Sequence, residues 1–219
     1  KNTYKKSCEI NPHHSQSYLN LLYILKKMKK IDEMILECKK FIRLNPHDAN
    51  LLNNFANGLQ ELHKYQEAEA IYKKALNLDP NLSDIYVNYG NLLQQLERND
   101  EAQEKFTKAI KINPHHILAY NNLGNVYRKL CQPEKAQEAF ETVIKLDPKF
   151  AAAYCNLGHL FYSNNQYEIA IQNYNKALNI NDKFENLTGA LLFSQAKLCD
   201  WTDRAINIKK MMIQIKRGE

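Results

Sequence analysis

The sequence predicts an all-α fold, a right-handed superhelix of stacked antiparallel helix pairs, because one 34-residue pattern occurs five times without insertion or deletion. A period of this length with a helix–turn–helix pattern is typical of helical solenoids. Prolines 34 residues apart mark the period: Pro12, Pro46, Pro80, Pro114 and Pro148. Slots are counted from the third residue after each proline, so repeats 1 to 5 are 15–48, 49–82, 83–116, 117–150 and 151–184.

Further slots hold the same kind of residue in most repeats. Slot 8, where two helices are expected to cross, is small in four of them: Ala56, Gly90, Gly124 and Gly158. Slot 24 is aromatic in the same four: Tyr72, Phe106, Phe140 and Tyr174. Apolar residues recur at spacings of three and four, so each repeat is predicted to form two helices. One helix pair cannot bury both of its faces, and stacking on neighbouring pairs supplies the rest of the core.

Repeat 1 departs from this pattern. Leu22, Met34 and Phe41 occupy slots that are small in the other repeats, and Cys38 replaces the aromatic residue of slot 24. We therefore expect the two helices of repeat 1 to lie further apart, with Cys38 offsetting part of the added bulk.

The recurring residues resemble the tetratricopeptide repeat (TPR) consensus over 15–184, as in the stretch YVNYGNLLQQLERNDEAQEKFTKAIKINP at 86–114. The resemblance implies that the first helix of each repeat lines the concave surface of the superhelix. Residues 1–14 match the second half of another repeat, with Tyr4 in the aromatic slot. We expect them to be the remainder of a truncated repeat.

Residues 185–219 are predicted to form divergent capping helices that lead toward a further domain. The segment CDWTD at 199–203 replaces the usual turn between two helices. We expect Trp201 to pack against the last repeat and to anchor the cap. The helix that follows has an apolar stripe, which we expect to be left for another domain or for a homo-oligomer: Ile208, Met212 and Ile215.

Composition and charge argue against several classes of function. The net charge is +6, but 45–196 carries fourteen basic and seventeen acidic residues, so the basic excess lies near the ends. A continuous basic stripe with interleaved aromatics is lacking, and no nucleic-acid partner is predicted. No apolar run approaches about 18 residues, so no membrane span is predicted. Five cysteines without paired spacing indicate reduced thiols and a cytoplasmic protein.

No enzyme motif is recognised in this segment, because Gly-rich phosphate loops, paired carboxylates and nucleophile motifs are lacking. Several histidines follow the repeat prolines, but successive turns are whole repeats apart, and no other ligand stands at metal spacing beside them. The sequence therefore predicts no catalytic residue, no metal site and no cofactor here. His159 stands at slot 9, where three other repeats have Asn, and is interpreted as a groove residue.

Asparagine provides the strongest functional indication. Slot 6 is Asn in all five repeats: Asn20, Asn54, Asn88, Asn122 and Asn156. Slot 9, on the same face, is Asn in three repeats: Asn57, Asn91 and Asn125. Asn is a mediocre helix former, but its amide can pair with both the N–H and the C=O of a peptide. The rows therefore predict a binding face for extended polypeptide; alternatively, the amides bond to neighbouring helices or simply follow the TPR consensus.

The spacing of the repeats suits this mode of binding. Adjacent packed helices lie about 8–10 Å apart, and an extended chain advances about 3.3 Å per residue. One slot-6 amide would then meet roughly every third residue of an extended ligand.

The unbroken row of Asn, the divergent last repeat and the CDWTD segment together resemble the TPR region of protein O-GlcNAc transferases, including their bacterial and SPINDLY-like relatives. In that family a similar segment marks the passage into the catalytic region, and here it lies within GALLFSQAKLCDWTD at 189–203. The resemblance implies a nucleotide-sugar glycosyltransferase that acts on Ser/Thr of proteins, with its TPR superhelix holding the acceptor polypeptide and its catalytic residues beyond Glu219.

Two alternatives come from other TPR proteins. A free-standing scaffold that assembles a multiprotein complex would use the same face for a protein partner. A carboxylate clamp for chaperone tails would need basic residues at slots 2 and 5, and no repeat has one there.

Overall fold

A computed structural model of the chain describes residues 15–181 and 187–198, together with Ile208 and Met212. Every regular element in these residues is an α-helix. The described helices are α1 (Ser15–Lys27), α2 (Ile31–Leu44), α3 (Ala49–Glu61), α4 (Tyr65–Leu78), α5 (Ser83–Gln95), α6 (Asn99–Ile112), α7 (Ile117–Lys129), α8 (Pro133–Leu146), α9 (Ala151–Ser163), α10 (Tyr167–Ile180) and α11 (Leu187–Lys197). Each repeat has a first or A helix (α1, α3, α5, α7, α9) and a second or B helix (α2, α4, α6, α8, α10).

The chain divides into two compact units, with the boundary between Pro114 and His115. In the N-terminal unit, α1 to α6 form three A–B pairs, and α2 and α4 also contact the A helix of the following repeat. In the C-terminal unit, α7 to α10 form two A–B pairs, α8 contacts α9, and α11 packs against α10. This arrangement is the helix-pair packing of a TPR solenoid, so the predicted fold class is confirmed.

The turn between the A and B helices has the same backbone conformation in every repeat. Slot 15 has a positive φ in all five: Lys29 at 55°, His63 at 59°, Glu97 at 58°, Cys131 at 56° and Asn165 at 60°. The next residue then bonds back to the A helix, as the Lys64 N–H does to the Leu59 carbonyl at 2.9 Å. This left-handed geometry ends the A helix, although only Asn165 is of a type that adopts it readily.

The core of an A–B pair depends on a small residue that faces a large one. A Cβ atom added at Gly90 would lie 2.6 Å from the Phe106 ring, and one added at Gly124 would lie 2.5 Å from the Phe140 ring. Both distances are shorter than van der Waals contact, and a close-packed interior cannot absorb the overlap without moving. Slot 8 must therefore be small wherever slot 24 is aromatic.

In repeat 1 the large residue stands at slot 8 and the small one at slot 24, the reverse of the other repeats. Leu22 at slot 8 and Cys38 at slot 24 are both buried, in agreement with the expected offset of bulk. Burial, with the nearby charge of Glu37, raises the pKa of the Cys38 thiol to about 12, so the side chain stays neutral near pH 7. The side chain of Phe41 lies outside the described residues, and the wider spacing of the two helices stays a prediction.

Met34 is accommodated by a glycine that the sequence analysis did not single out. Its Cε atom packs against Gly58, at slot 10 of repeat 2, where an added Cβ would collide with it. Between repeats 4 and 5 the sizes are reversed, since Ala136 at slot 20 shares a core cluster with Leu160 at slot 10. The interface between repeats 1 and 2 thus keeps its volume by pairing a large slot 20 with a small slot 10.

A charged cluster ties the B helix of repeat 2 to repeat 3. Glu69 accepts hydrogen bonds from Tyr89 Oη at 2.8 Å and from Arg98 Nη1 at 2.7 Å, and Lys73 lies 2.8 Å away. Partial burial alone would raise the pKa of Glu69, but the bonds from Arg98, Lys73 and Tyr89 outweigh it and lower the pKa to about 2. The carboxylate therefore stays charged, and the tie persists, throughout the neutral pH range.

Several sequence-based predictions lie outside the described residues: the half repeat at 1–14, the CDWTD segment with Trp201, and Ile215 of the apolar stripe. Ile208 and Met212 are helical, and Met212 is 55% exposed. The layout of the cap and the formation of a homo-oligomer stay predictions. None of the described helices combines the length and apolar character that a bilayer-spanning helix needs.

We expect the Met34 and Gly58 exchange to be measurable in a double-mutant cycle. Met34→Ala should destabilise the chain by about 2–5 kcal/mol, because a cavity remains beside Gly58. Gly58→Leu should destabilise it by about 1–3 kcal/mol through overpacking. The double variant restores the Ala and Leu combination of repeats 4 and 5, so its loss should be smaller than the sum, by about 0.5–3 kcal/mol.

Urea denaturation followed by circular dichroism measures the three free energies of unfolding. Additive losses in the double variant would contradict the proposed complementarity. The control is Ala136→Gly, which lies in the corresponding interface of repeats 4 and 5. Combined with Gly58→Leu, it should give an additive loss in the free energy of unfolding.

Candidate polypeptide-binding face

The eight asparagines predicted to bind polypeptide all lie on A helices, and each is half-buried: Asn20, Asn54, Asn57, Asn88, Asn91, Asn122, Asn125 and Asn156. None of them is fully withdrawn between helices, and none projects fully into solvent. The side on which they lie is called here the amide face of each unit. The structure gives most of these amides protein partners, which determine how they are oriented.

Two slot-6 amides bond to the preceding repeat. Asn88 Nδ2 donates to Asn53 Oδ1 at 3.1 Å, and Asn156 Nδ2 donates to Asn121 Oδ1 at 2.9 Å. Both pairs are 35 residues apart, so slot 6 of one repeat meets slot 5 of the repeat before it. The acceptors Asn53 and Asn121 are each only 8% exposed. The alternative stated above, that the amides bond to neighbouring helices, therefore holds for these two residues.

Asn54 and Asn122 have partners within their own helices. For Asn54, slot 5 of the preceding repeat is Leu19, a residue type without a side-chain acceptor. Asn54 Nδ2 instead donates to the Asn50 carbonyl of its own helix at 3.0 Å. Asn122 Oδ1 accepts from Asn121 Nδ2 at 3.2 Å. Within each unit, the amide row thus combines residues held between repeats with residues held within one helix.

The inter-repeat bond uses only part of the capacity of an Asn amide. One N–H of Asn88 or of Asn156 is donated to the preceding repeat, and this bond does not engage Oδ1 of the donor. An Asn amide has two N–H donors and an oxygen with two lone pairs. The tie therefore restrains each amide while its oxygen and second N–H are not consumed by the bond.

The same 35-residue offset recurs further along the A helices of the N-terminal unit. Lys26 Nζ lies 2.9 Å from Glu61 Oε1, and Gln60 Nε2 donates to Gln95 Oε1 at 2.7 Å. Both contacts join slot 12 of one repeat to slot 13 of the next. In this unit the amide face is therefore bordered by a second row of polar contacts between repeats.

Slot 9 is coupled to the core residue at slot 24. Tyr72 Oη donates to Asn57 Oδ1 at 2.6 Å, and Tyr174 Oη lies 2.9 Å from His159 Nδ1. Asn57, predicted to bind polypeptide, thus has an internal partner, as does the groove residue His159. In repeat 4 the residue at slot 24 is Phe140, which has no hydroxyl, and the buried Oδ1 of Asn125 has no hydrogen-bond partner among the described residues.

His159 and Cys155 form a close pair in α9, with His159 Nε2 at 3.4 Å from Cys155 Sγ. Burial raises the pKa of the Cys155 thiol to about 11, and burial lowers the pKa of His159 below its ordinary value. Both groups are therefore neutral near pH 7, and a protonated, buried thiol is a poor nucleophile. Across the described part of the chain, no three His, Cys, Asp or Glu side chains are grouped as metal ligands.

A cleft of about 640 Å³ lies at the inter-repeat turns of the N-terminal unit, lined by residues from Leu44 to Asn50 and by Leu78, Asp79 and Leu82. Both carboxylates that line the cleft accept hydrogen bonds from backbone N–H groups. Asp48 caps α3 by accepting from the Leu51 N–H at 3.0 Å, and Asp79 accepts from the Asn81 N–H at 2.9 Å. The cleft is accounted for by turn structure and offers no arrangement of groups for chemistry.

Sequence reasoning missed Asn53 and Asn121, the buried acceptors of the inter-repeat bonds. Slot 5 is Leu, Asn, Val, Asn and Cys in the five repeats, so no repeated residue type marks it. A comparison of residues 35 apart, instead of 34, would have paired each of these asparagines with its partner at slot 6.

The unpartnered Asn125 oxygen leads to a stabilising substitution. Phe140→Tyr would place a hydroxyl where Tyr72 and Tyr174 place theirs, so it should donate to Asn125 Oδ1. We expect the free energy of unfolding to rise by about 0.5–1.5 kcal/mol, measured by urea denaturation. Phe106→Tyr is the control, since Asn91 above it already has a partner and should gain less. An unchanged or lower stability for Phe140→Tyr would show that the hydroxyl is not received by the amide.

Comparison with known proteins agrees with this architecture. Family models described as tetratricopeptide repeat match 15–48, 47–112, 81–149 and 151–184. A search of curated proteins finds no match. Similar solved structures include pilF of Pseudomonas aeruginosa, at 21% identity and a TM-score of 0.79, covering 92% of this chain and 90% of that one.

Two further solved structures show the range of proteins that share the fold. YrrB, described as a TPR protein with an unusual peptide-binding site, is 22% identical with a TM-score of 0.62, covering 85% of this chain and 96% of its own. The Cut9–Hcn1 hetero-tetramer of the APC/C is 19% identical with a TM-score of 0.82, covering 97% of this chain and 42% of that one. At these identities the likeness shows the fold alone, whereas the family models cover most of the sequence: the chain belongs to the tetratricopeptide repeat family.

Proposed function

We propose that the protein is a binding scaffold that holds extended polypeptide against the amide face of each compact unit, mainly through the polypeptide backbone. The observation that carries this proposal is the pair of inter-repeat bonds, Asn88 to Asn53 and Asn156 to Asn121. These bonds orient slot-6 amides that are half-buried and not sequestered.

Orientation matters because binding energy is lost whenever a flexible side chain must be immobilised. Ordering a side chain at an interface costs about 0.5–1.5 kcal/mol. An amide already held by a buried neighbour does not incur this cost again when a ligand arrives. The ties to Asn53 and Asn121 therefore favour a ligand that bonds to the remaining oxygen and N–H of each tied amide.

Backbone recognition follows from the chemistry and the spacing of the row. An amide oxygen and N–H match the N–H and C=O that every residue of a polypeptide except proline carries. Adjacent A helices about 8–10 Å apart meet an extended chain roughly every third residue. Recognition of this kind tolerates many side chains, and YrrB, of similar fold, is described as having a peptide-binding site.

More specifically, we propose that the chain is the acceptor-holding region of a protein O-GlcNAc transferase-like glycosyltransferase in the cytoplasm. The unbroken slot-6 row and the CDWTD segment at 199–203 support this assignment. Three cysteines in the described residues are free thiols, Cys38, Cys131 and Cys155, which suits a reducing compartment. A free-standing scaffold for a multiprotein complex would use the same amide face and is the alternative.

Removing slot-6 amides that do not tie repeats together should weaken binding while leaving the two inter-repeat bonds in place. We expect Asn54→Ala combined with Asn122→Ala to raise Kd at least about tenfold, since each lost hydrogen bond costs about 0.5–1.5 kcal/mol and tenfold corresponds to 1.4 kcal/mol. Fluorescence anisotropy of a labelled, extended Ser/Val peptide measures the change.

The matched control is Asn77→Ala with Asn175→Ala, which makes the same substitutions at exposed positions on B helices. This variant should bind as the parent does. Equal affinity of the amide-face variant and the control would contradict the proposed binding face.

The glycosyltransferase assignment is tested by extending the chain past Glu219 in its own reading frame. We expect the extended chain to transfer sugar from a nucleotide-sugar donor to Ser/Thr of the bound peptide, and residues 1–219 alone to bind the peptide without transfer. Mass spectrometry of the peptide detects the added sugar. Peptide binding with no transfer by the extended chain would favour the free-standing scaffold.

A further inference from the structure

We infer that Arg128 makes the amide face of the C-terminal unit selective for polypeptides with an acidic side chain. The Arg128 guanidinium would bind the carboxylate of that side chain. This inference rests on the proposed function and adds the chemical class of the ligand. Arg128 stands at slot 12, a position whose side chains bond to the next repeat in the N-terminal unit.

The N-terminal unit shows what slot 12 does when its partner is present. Lys26 forms an ion pair with Glu61, and Gln60 bonds to Gln95, each one slot further in the next repeat. In the C-terminal unit the corresponding residues are Arg128 and Ser163. The Ser163 hydroxyl donates instead to the Leu160 carbonyl at 2.7 Å. Slot 12 is thus a site of charge or amide pairing that here lacks its internal counterpart.

Arg128 is exposed, and no described Asp or Glu forms an ion pair with it. The A helices of this unit contain no acidic residue, since α7 reads ILAYNNLGNVYRK and α9 reads AAAYCNLGHLFYS. In the N-terminal unit, by contrast, the A helices include Asp84 and Glu61. The amide face of the C-terminal unit therefore has positive charge without any negative charge from its own A helices.

Two polar side chains of α9 that the charge of Arg128 influences, His159 and Cys155, are hydrogen-bonded and neutral. The hydrogen bond from Asn156 to Asn121 sets α9 beside α7 in the 35-residue register. His159 has one ring nitrogen near Tyr174 Oη and the other near Cys155 Sγ, so it is held in place. After burial itself, the charge of Arg128 is the second cause that lowers the pKa of His159.

The guanidinium is suited to a carboxylate because its planar fork donates two parallel hydrogen bonds to the two oxygens. Lys129, in the same last turn of α7, has the same charge but lies one slot further along. Both cations interact favourably with the helix C-terminus, so a role limited to the helix end would apply to both. Selectivity for an acidic side chain is assigned to Arg128 alone.

The experiment compares three labelled Ser/Val peptides that differ at one central residue: Glu, Gln or phosphoserine. Fluorescence anisotropy measures Kd for the parent chain, for Arg128→Gln and for the matched control Lys129→Gln. We expect the parent to bind the Glu peptide about tenfold more tightly than the Gln peptide. Arg128→Gln should bind the two equally, and Lys129→Gln should keep the preference.

Each outcome has a distinct meaning. Equal affinity of the parent for the Glu and Gln peptides overturns this inference and leaves the proposed function intact, whereas no binding of either peptide overturns both. A preference that Lys129→Gln removes as fully as Arg128→Gln also overturns the inference, because it would come from net charge. A preference limited to phosphoserine would replace carboxylate with phosphate as the anion that Arg128 receives.

Discussion

The offset of one slot between the A helices of neighbouring repeats determines how the polar side of this protein is organised. The sequence repeats every 34 residues, but the polar contacts join residues 35 apart, as from Asn53 to Asn88, from Asn121 to Asn156 and from Gln60 to Gln95. Slot 5 thereby orients slot 6, and slot 12 meets slot 13. The half-buried amides of Asn88 and Asn156 are thus positioned by buried asparagines of the preceding repeat.

This register can persist only because the core beneath it is filled in every repeat. A large residue at one slot is matched by a small one at its neighbour, whether as Gly124 beneath Phe140 or as Met34 against Gly58. Close packing makes the A and B helices rigid supports, and groups on rigid elements hold their geometry better than groups on loops. The amide face therefore depends on volume matching in the core as much as on its own hydrogen bonds.

The fold could be predicted from the sequence because the residues that specify it recur at the same slot. Gly90 and Phe106 stand for a pattern that four repeats share, and the period itself predicts the helix pairs. The positive φ at slot 15 could not be predicted, because most repeats have a residue other than Gly or Asn there, such as His63, Glu97 and Cys131. The partner of Met34 was hidden for a similar reason, because Gly58 stands at a slot that is apolar and large elsewhere.

The placement of the asparagine row on the A helices was predictable, but its hydrogen bonds were not. The recurrence of Asn at slot 6 placed the row on the A helices, yet its bonds depend on slot 5, which varies from repeat to repeat. Slot 9 was interpreted as a second binding row, but the Asn57 side chain accepts a hydrogen bond from the Tyr72 hydroxyl. Such partnerships arise between residues that no common period connects, and three-dimensional packing is needed to reveal them.

The central claim is that the amide row binds the backbone of an extended polypeptide. Its most direct test is the affinity of a peptide whose backbone N–H groups are blocked by N-methylation at every third residue, compared with a peptide of shuffled sequence. We expect N-methylation in register with the amides to raise Kd at least about tenfold. Shuffling that keeps the acidic residue in place should leave Kd nearly unchanged. A methylated peptide that binds as tightly as the parent peptide, together with a shuffled one that does not bind, would contradict it.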